Sequence, residues 1–152
     1  MRALTIGILV MILASSSLTA QTLRVRGERD LRFGTLFPGI PETVLWSDGT
    51  RRGQYRIRSN TFFAPVMVQL VLPPDMIGPG GATMPLTFGS ADAAYWLPFF
   101  GATPFDPQAP VSFILFPRAA RIYLGGTATP SVSQAAGNYT AIITLIVAFT
   151  GA

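Results

Sequence analysis

The chain contains no cysteine, no histidine and no lysine. Without cysteine and histidine there is no thiol nucleophile, no serine–histidine triad and almost no way to bind zinc. Without lysine, Schiff-base and serine–lysine mechanisms are excluded as well. The lack of cysteine also rules out disulfides, so packing and backbone pairing must stabilise the fold. We therefore expect no enzyme, no cofactor and no metal site.

Paired carboxylates are the remaining route to catalysis, because two acids flanking a glycosidic bond can hydrolyse it. The candidates are Asp75, Asp92 and Asp106. Each adjoins proline or alanine in a predicted loop, where an aspartate is commonly solvated. The expectation of a protein without catalytic residues is unchanged.

Charge is scarce too, since charged residues make up 12% of the chain and hydrophobic residues 49%. This composition is apolar for a soluble secreted monomer. Large exposed apolar areas usually meet another protein. The composition therefore favours self-association or contact with other secreted or surface proteins.

The N-terminal segment has the order of a secretory signal peptide. Met1 and Arg2 give a positive start, "ALTIGILVMILA" is apolar, and "SSSLTA" ends at Ala20 before Gln21. The apolar run is too short for a comfortable membrane span. We predict a cleaved signal peptide at 1–20 and one domain at 21–152, without a transmembrane segment after cleavage.

Short apolar segments separated by glycine and proline fill the rest of the chain, and no stretch keeps a helical period. This pattern predicts an all-β fold, an antiparallel immunoglobulin-like β-sandwich of eight or nine short strands. We expect "DMIGPGGA" to be a loop and "AAYWLPFFGATPFDPQAP" an irregular aromatic loop. The candidate strands are "TLRVR", "LRFGTLF", "ETVLW", "QYRIR", "PVMVQLVLPP", "TMPLTF", "VSFILF", "RIYLGGTA" and "YTAIITLIVAF".

Two of these strands carry further predictions. Pro85 cannot donate a backbone hydrogen bond, so "TMPLTF" is predicted at a sheet edge. The last strand, Tyr139–Phe149, is apolar on both faces and needs a neighbour to cover its edge. We expect "TLRVR" to pair with it, within one chain or, by strand exchange, between chains.

The segments "DLRFGTLFPG", "VQLVLPPDM" and "IYLGGTATPSVSQAAGNYTAIITLIVAFTG" carry a family resemblance. The chain resembles an uncharacterised family of short secreted bacterial β-sandwich proteins with an L-x-F-G-x-L-x-P-G opening and an A-G-x-Y-T closing strand. That family is similar to spore coat protein U and to chaperone–usher pilin subunits. The resemblance implies a secreted, periplasmic or cell-surface protein of a bacterium. This sequence departs from those relatives in lacking their common cysteines and in its aromatic loop.

Three residues are predicted to be structural. Gly34 within a strand indicates a bulge or a close backbone approach. Gly137 suits a turn that needs positive φ. The Tyr139 hydroxyl can bond back to the preceding loop, as in a tyrosine corner, or the ring can simply pack in the core.

Two surface features are candidate binding sites. Arg24 and Arg26, and likewise Arg56 and Arg58, are two residues apart and share a strand face. On neighbouring strands they would form a basic stripe for a glycan or polyanion, although a solvated face that blunts edge pairing is the simpler interpretation. The aromatic residues that can stack a sugar or cover a subunit contact are Tyr95, Trp96, Phe99 and Phe100.

Two functions therefore remain open from the sequence. The first is a secreted structural or surface-assembly protein, a pilin-like or coat-like subunit that associates through strand edges and apolar surface. The alternative is a monomeric extracellular or periplasmic binding module for a glycan or polyanion. We expect no dedicated nucleic-acid site, because no phosphate-binding glycine motif occurs and the net charge is modest.

Overall fold

The computed structural model describes residues 20–151. Of the predicted signal peptide only Ala20 falls inside this range, so that prediction stays open. β-strands account for 48% of the described residues, and no α-helix occurs among them. Within 20–151 we therefore find no helix with the length and apolar character of a membrane span. The all-β prediction is confirmed.

The described residues form twelve strands, more than the predicted eight or nine. Three of them, Asp75–Ile77, Ala93–Leu97 and Gly101–Phe105, lie in segments predicted to be loops, and the predicted strand "RIYLGGTA" is divided into two. A single 3₁₀ turn covers Pro79–Gly81. The strands are β1 Leu23–Arg29, β2 Glu42–Val44, β3 Gly53–Ser59, β4 Ala64–Val71, β5 Asp75–Ile77, β6 Thr83–Thr87, β7 Ala93–Leu97, β8 Gly101–Phe105, β9 Val111–Leu115, β10 Ala119–Leu124, β11 Gly126–Ala128 and β12 Thr144–Phe149.

These strands make three antiparallel sheets in a sandwich-like arrangement. The five-stranded sheet has the order β1-β3-β10-β7-β8, and the four-stranded sheet has the order β2-β11-β6-β5. The three-stranded sheet has the order β12-β4-β9. The described strands β1 and β12 are therefore edge strands of two different sheets.

Alternating apolar residues build the core, as the period of two in β3 and β4 predicts. Ile57 of β3 and Ile122 of β10 pack against Val66 and Val68 of β4, and all four are fully buried. The five-stranded and three-stranded sheets are thus held face to face. A second buried cluster, which includes Val44, Leu86 and Leu124, lies under the four-stranded sheet.

The predicted strand "RIYLGGTA" is wrong as a single element, because β10 and β11 belong to different sheets. The chain changes sheet at Gly125, where an added side chain would collide with the backbone of Val44 and Trp46. The glycine allows this close approach, and it lets one continuous segment contribute to both sheets.

The predicted strand "LRFGTLF" is also wrong, since residues 30–41 are irregular. Gly34 has φ +79°, a left-handed conformation that suits glycine, and no atom lies within 4 Å of a Cβ built there. It marks neither a bulge nor a close approach. Phe33 nevertheless reaches the core, where it is buried, so the apolar signal was correct and the extended conformation was not.

Two predictions around β6 need correction. The predicted edge strand β6 is internal, because it pairs with β5 on one side and β11 on the other. Its pairing with β11 ends at Leu86, one residue from Pro85, so the proline leaves that ladder intact. The predicted loop "DMIGPGGA" begins with β5, which contains Asp75.

The aromatic segment was predicted as an irregular loop, and this is wrong. Residues 93–105 form an antiparallel hairpin in which Trp96 lies opposite Ala102 and Leu97 opposite Gly101. Phe99 in the turn has φ +71°, and Gly101, the first residue of β8, has φ +80°, so both lie in the left-handed region.

The predicted terminal strand is shorter than expected. Residues 141–143 belong to no strand, and β12 covers only Thr144–Phe149. It pairs with β4 along its length, with Leu145 opposite Leu70. The N-terminal segment pairs with β3, with Val25 opposite Ile57. The expected pairing of the two terminal segments within the chain is therefore wrong.

Candidate assembly surface

The closing segment, residues 137–143, docks through its first half onto the turn that follows β5. The Tyr139 hydroxyl donates a hydrogen bond to the carbonyl oxygen of Ala135 at 2.8 Å and accepts one from the Gln134 amide at 2.7 Å. Its ring covers Gly78, where a Cβ would lie 2.5 Å from the ring. Thr140 and Ile77 exchange two backbone hydrogen bonds. The chain is thereby fixed before it reaches β12.

Gly137 meets the same turn. Its φ of +146° is unfavourable for other residues, and a side chain there would overlap the ring of Pro79. The glycine has both the backbone conformation and the lack of a side chain that this contact requires.

A cleft of about 440 Å³ opens between β1 and the closing segment. One wall comes from Gly27 to Leu31, and the other comes from residues 139–143. Core side chains form its floor: Phe33, Tyr55, Met76, Leu86 and Leu124. The described structure therefore leaves a gap between the edge of β1 and residues 139–143, through which the core can be reached.

Tyr55 crosses the bottom of this cleft. Its hydroxyl donates to the carbonyl oxygen of Ile143 at 3.0 Å, which ties β3 to the segment just before β12. Burial raises the pKa of Tyr55 above its usual value, and the negative charge of Asp30 raises it further. The phenol is thus kept protonated, and it can donate this hydrogen bond across the usual pH range.

The inner face of β1 is incompletely covered. Val25 lies opposite fully buried Ile57 and so points inward, yet it is 43% exposed. On β12 the inner residues Leu145, Val147 and Phe149 are only half-buried. Within residues 20–151, both edge strands thus present apolar side chains to solvent and have one backbone edge without a strand partner.

In the part of the chain that the structure describes, the outer face of the three-stranded sheet carries no charged residue. Ile146 of β12, Val71 of β4 and Ile114 of β9 are 47%, 50% and 52% exposed. The pairing of β12 with β4 and of β4 with β9 places the remaining side chains of this face, all uncharged: Thr144, Ala148, Gln69, Met67, Pro65 and Ser112.

The four arginines predicted to form a stripe are brought together. Arg24 lies directly opposite Arg58, and Arg26 directly opposite Arg56. Arg121 extends the row because it lies opposite Arg56 on the other side. A bulge in β1 next to Gly27 brings Glu28 to this face, where its carboxylate lies 2.6 Å from Arg56 and 3.7 Å from Arg121.

The four predicted aromatic contact residues do not form one surface. Tyr95 points inward and stacks on Phe113, with ring centroids 4.4 Å apart. Trp96 lies on the outer face beneath Arg121, whose guanidinium carbon is 5.1 Å from the ring. Phe99 and Phe100 lie in the turn after β7 and are 85% and 70% exposed.

The three candidate carboxylates lie in separate local structures. Asp92 accepts a hydrogen bond from the Gly89 amide at 2.6 Å, and Asp106 accepts one from the Gln108 amide at 2.9 Å. Asp75 is half-buried in β5. Among residues 20–151, no group of three acidic, histidine or cysteine side chains is placed to hold a metal ion.

Sequence reasoning missed the cleft. One wall comes from residues 27–31, of which the last, Leu31, is the start of a predicted strand. The other wall comes from residues 139–143, which are the start of the predicted terminal strand. Nothing in the local composition separates residues 139–143 from β12. Their departure from the strand is caused by contacts with Ile77, Gly78 and Tyr55, which are distant in sequence.

No protein-family model matches the sequence, and no curated protein matches it. The resemblance to a particular family therefore stays a prediction. Among solved structures, the chain is similar to one from a chaperone–tip adhesin complex of CFA/I fimbriae biogenesis, with 9% sequence identity and a TM-score of 0.48. The match covers 86% of this chain and 42% of that chain, so this chain spans less than half of that protein's length.

Proposed function

We propose that this protein is a secreted structural subunit of a bacterial surface, which associates with further copies through the free edges of β1 and β12 and the uncharged face beside them. The observation that carries the proposal is the cleft between β1 and residues 139–143, whose floor is made of core side chains. An extended segment from another subunit would cover that floor and pair with an open edge. Main-chain pairing of this kind gives affinity, and pockets for alternate side chains give specificity.

The outer face of the three-stranded sheet supports the same proposal. It adjoins the β12 edge and exposes Val71, Ile114 and Ile146 without a charge. Interface cores are depleted of charged residues and enriched in apolar ones. An exposed strand edge beside such a face would promote uncontrolled aggregation unless a specific partner covered it.

A non-catalytic role is part of the proposal. The sequence lacks histidine, cysteine and lysine, and the amide contacts of Asp92 and Asp106 are those of turn-forming residues. A subunit that acts by assembly needs no acid–base group.

The test is the association state of variants of the outer face. Ile146→Lys and Val71→Lys place a charge on this face without disturbing the core, because both side chains are about half exposed. Val132→Lys is the matched control, since Val132 is 87% exposed in a loop. We expect the first two variants to weaken self-association by at least about tenfold, which corresponds to about 1.4 kcal/mol. The control should not change it.

Sedimentation across a concentration series, with electron microscopy for fibres, measures the outcome. A wild-type protein that stays monomeric at the highest concentration would contradict the proposal. In that case the aligned arginines Arg24, Arg26, Arg56 and Arg58 would favour the second function, a monomeric module for a polyanion. Retention on a sulfated polysaccharide, lost in Arg24→Gln/Arg58→Gln, would identify it.

A further inference from the structure

Five phenylalanines gather at one end of the molecule, and we call this group the phenylalanine tip: Phe62, Phe63, Phe99, Phe100 and Phe116. They come from three separate turns, between β3 and β4, β7 and β8, and β9 and β10. Phe116 is the centre, with ring centroids of the others between 5.0 and 6.4 Å away. The group belongs to neither buried core cluster.

The side chains of the phenylalanine tip are much more exposed than those of a hydrophobic core. Phe62 and Phe63 are 44% and 61% exposed, and Phe99 and Phe100 are 85% and 70% exposed. An exposed cluster of large apolar side chains marks an interaction site. The rings hold each other in edge-to-face and stacked contacts, so the surface is formed before any partner arrives.

Backbone strain is concentrated in the same turns. Within residues 20–151, Phe99 with φ +71° and Arg118 with φ +98° are the two non-glycine residues with positive φ. Residues with bulky side chains rarely adopt this conformation, and such strain is commonly found at functional sites. In Phe99 it accompanies the most exposed ring of the tip.

The charge around the tip has one sign. All six strands that form the three turns, β3, β4, β7, β8, β9 and β10, contain no acidic residue. Arg118 lies on the tip, with its guanidinium carbon 5.8 Å from the Phe62 ring. Arg58 lies close to Arg118, because the residue after Arg58, Ser59, donates a backbone hydrogen bond to the carbonyl of Arg118. Arg24 lies opposite Arg58.

From this combination we infer that the phenylalanine tip docks into an anionic lipid surface. Aromatic and aliphatic side chains of surface-bound proteins lie at the boundary between headgroups and acyl chains, while arginines beside them contact phosphate groups. The guanidinium group is suited to this role because it binds phosphate with two hydrogen bonds. The phenylalanine tip provides both the aromatic side chains and the arginines, and it holds them at the ends of rigid strands.

The N-terminal side of the domain meets the tip. The Asn60 amide donates to the carbonyl of Ala20, and its oxygen accepts from the Thr22 amide. Residues 20–22 therefore lie beside the tip, at the same end of the domain.

Other occupants fit less well. Two copies meeting tip to tip would bring Arg58 and Arg118 of one copy against those of the other, which like-charge repulsion opposes. A sugar would need hydrogen-bonding groups, and the amide of Asn60 is already bonded to backbone. Tyr95 and Trp96, the better residues for stacking a sugar, point away from the tip.

Flotation with lipid vesicles tests the inference. The purified protein is mixed with phosphatidylcholine vesicles, with or without phosphatidylglycerol, and the bound fraction is measured. We expect binding to the anionic vesicles, and Phe99→Ser/Phe100→Ser should lower the partition coefficient at least about tenfold. Phe37→Ser/Val132→Ser is the matched control, because these residues are 63% and 87% exposed away from the tip. Arg118→Asn, whose new residue tolerates positive φ, should also weaken binding.

Thermal melting of each variant shows that its fold is retained. Absence of binding to either kind of vesicle would overturn the inference. Binding that survives Phe99→Ser/Phe100→Ser but disappears in Arg24→Gln/Arg26→Gln would overturn it too, since the arginine stripe alone would then hold the lipid. A phenylalanine variant that changes the oligomeric state, with no vesicle binding by the wild type, would assign the tip to protein contact instead.

Discussion

Single hydrogen bonds decide how the closing segment is held against the rest of the sandwich. Tyr55 is the clearest case, because its hydroxyl reaches from the five-stranded sheet to Ile143 beside the three-stranded sheet. The acceptor is a backbone carbonyl in a segment without strand pairing, so no ladder bond replaces the contact if it is lost. The residue both lines the cleft and fixes one of its walls.

We predict that Tyr55→Phe lowers the free energy of unfolding by about 1 kcal/mol at neutral pH, the usual value for one hydrogen bond. The pKa of Tyr55 is raised in the fold, mainly by burial. The stability that depends on the protonated phenol is therefore complete below the unfolded pKa of about 10 and is lost as the pH rises through the folded pKa. The variant should lose less stability than the wild type in this alkaline window. Chemical denaturation at pH 7 and at alkaline pH measures the free energy of unfolding of both proteins. Equal alkaline losses in the two proteins would refute the assignment.

At the scale of elements, the closing segment and the turn at 77–81 behave as one unit, in which Tyr139 covers Gly78. Gly78 has φ −122°, a conformation that any residue adopts, so replacing it with alanine causes no backbone strain. The added methyl group acts only by colliding with the Tyr139 ring. We predict that Gly78→Ala costs about 1–3 kcal/mol through overpacking. Tyr139→Ala should cost about 2–4 kcal/mol, as for truncation of a large packed aromatic.

A double-mutant cycle tests whether the two positions are coupled. Gly78→Ala/Tyr139→Ala should be less destabilised than the sum of the single variants, because the methyl group no longer meets a ring. Gly49→Ala is the control, since nothing lies within 4 Å of a Cβ at that site. Strictly additive effects in urea denaturation would mean that Tyr139 is held by something other than this contact.

Alternation of apolar and polar residues predicted the elements that lie against the core. β3 and β4 show it in sequence and follow it in burial, down to Ile57, Val66 and Val68. The aligned arginines could also be expected once β1 and β3 were taken as neighbours, and the pairing places them opposite one another. The local pattern was sufficient to predict β1, β3 and β4 because these strands are long, and one face of each is buried or charged along its length.

Contacts between distant segments were not predictable in this way. The chain changes sheet at Gly125, where the backbone of Val44 leaves no room for a side chain. Residues 141–143, which belong to no strand, lie between Thr140, bonded to Ile77, and the carbonyl of Ile143, which accepts from Tyr55. The phenylalanine tip has the same origin, since Phe62, Phe99 and Phe116 are brought together by three turns. Apolar residues next to turn signals, as in "RSNTFF", were the available sign of an exposed cluster.

On the scale of the whole molecule, we assign distinct surfaces to different kinds of contact. The cleft, the open edges of β1 and β12 and the uncharged sheet face provide the surface that we assign to assembly. The phenylalanine tip lies at the end of the strands, where Phe99 and Arg118 are exposed. Subunits joined along their edges would leave this end free, so assembly and lipid contact are compatible.

Amide hydrogen exchange across a concentration series tests the assembly claim most directly, because it reports backbone pairing at each strand. Dilute and concentrated wild-type protein are compared with Ile146→Lys at the same concentrations. We predict that amides of Leu23–Arg29 and Thr144–Phe149 exchange more slowly in the concentrated wild type, and that the variant shows no such change. The other edge of the five-stranded sheet, Gly101–Phe105, should be unaffected by concentration. Protection that stays constant at β1 and β12, or that rises only along Gly101–Phe105, would contradict assembly through these edges.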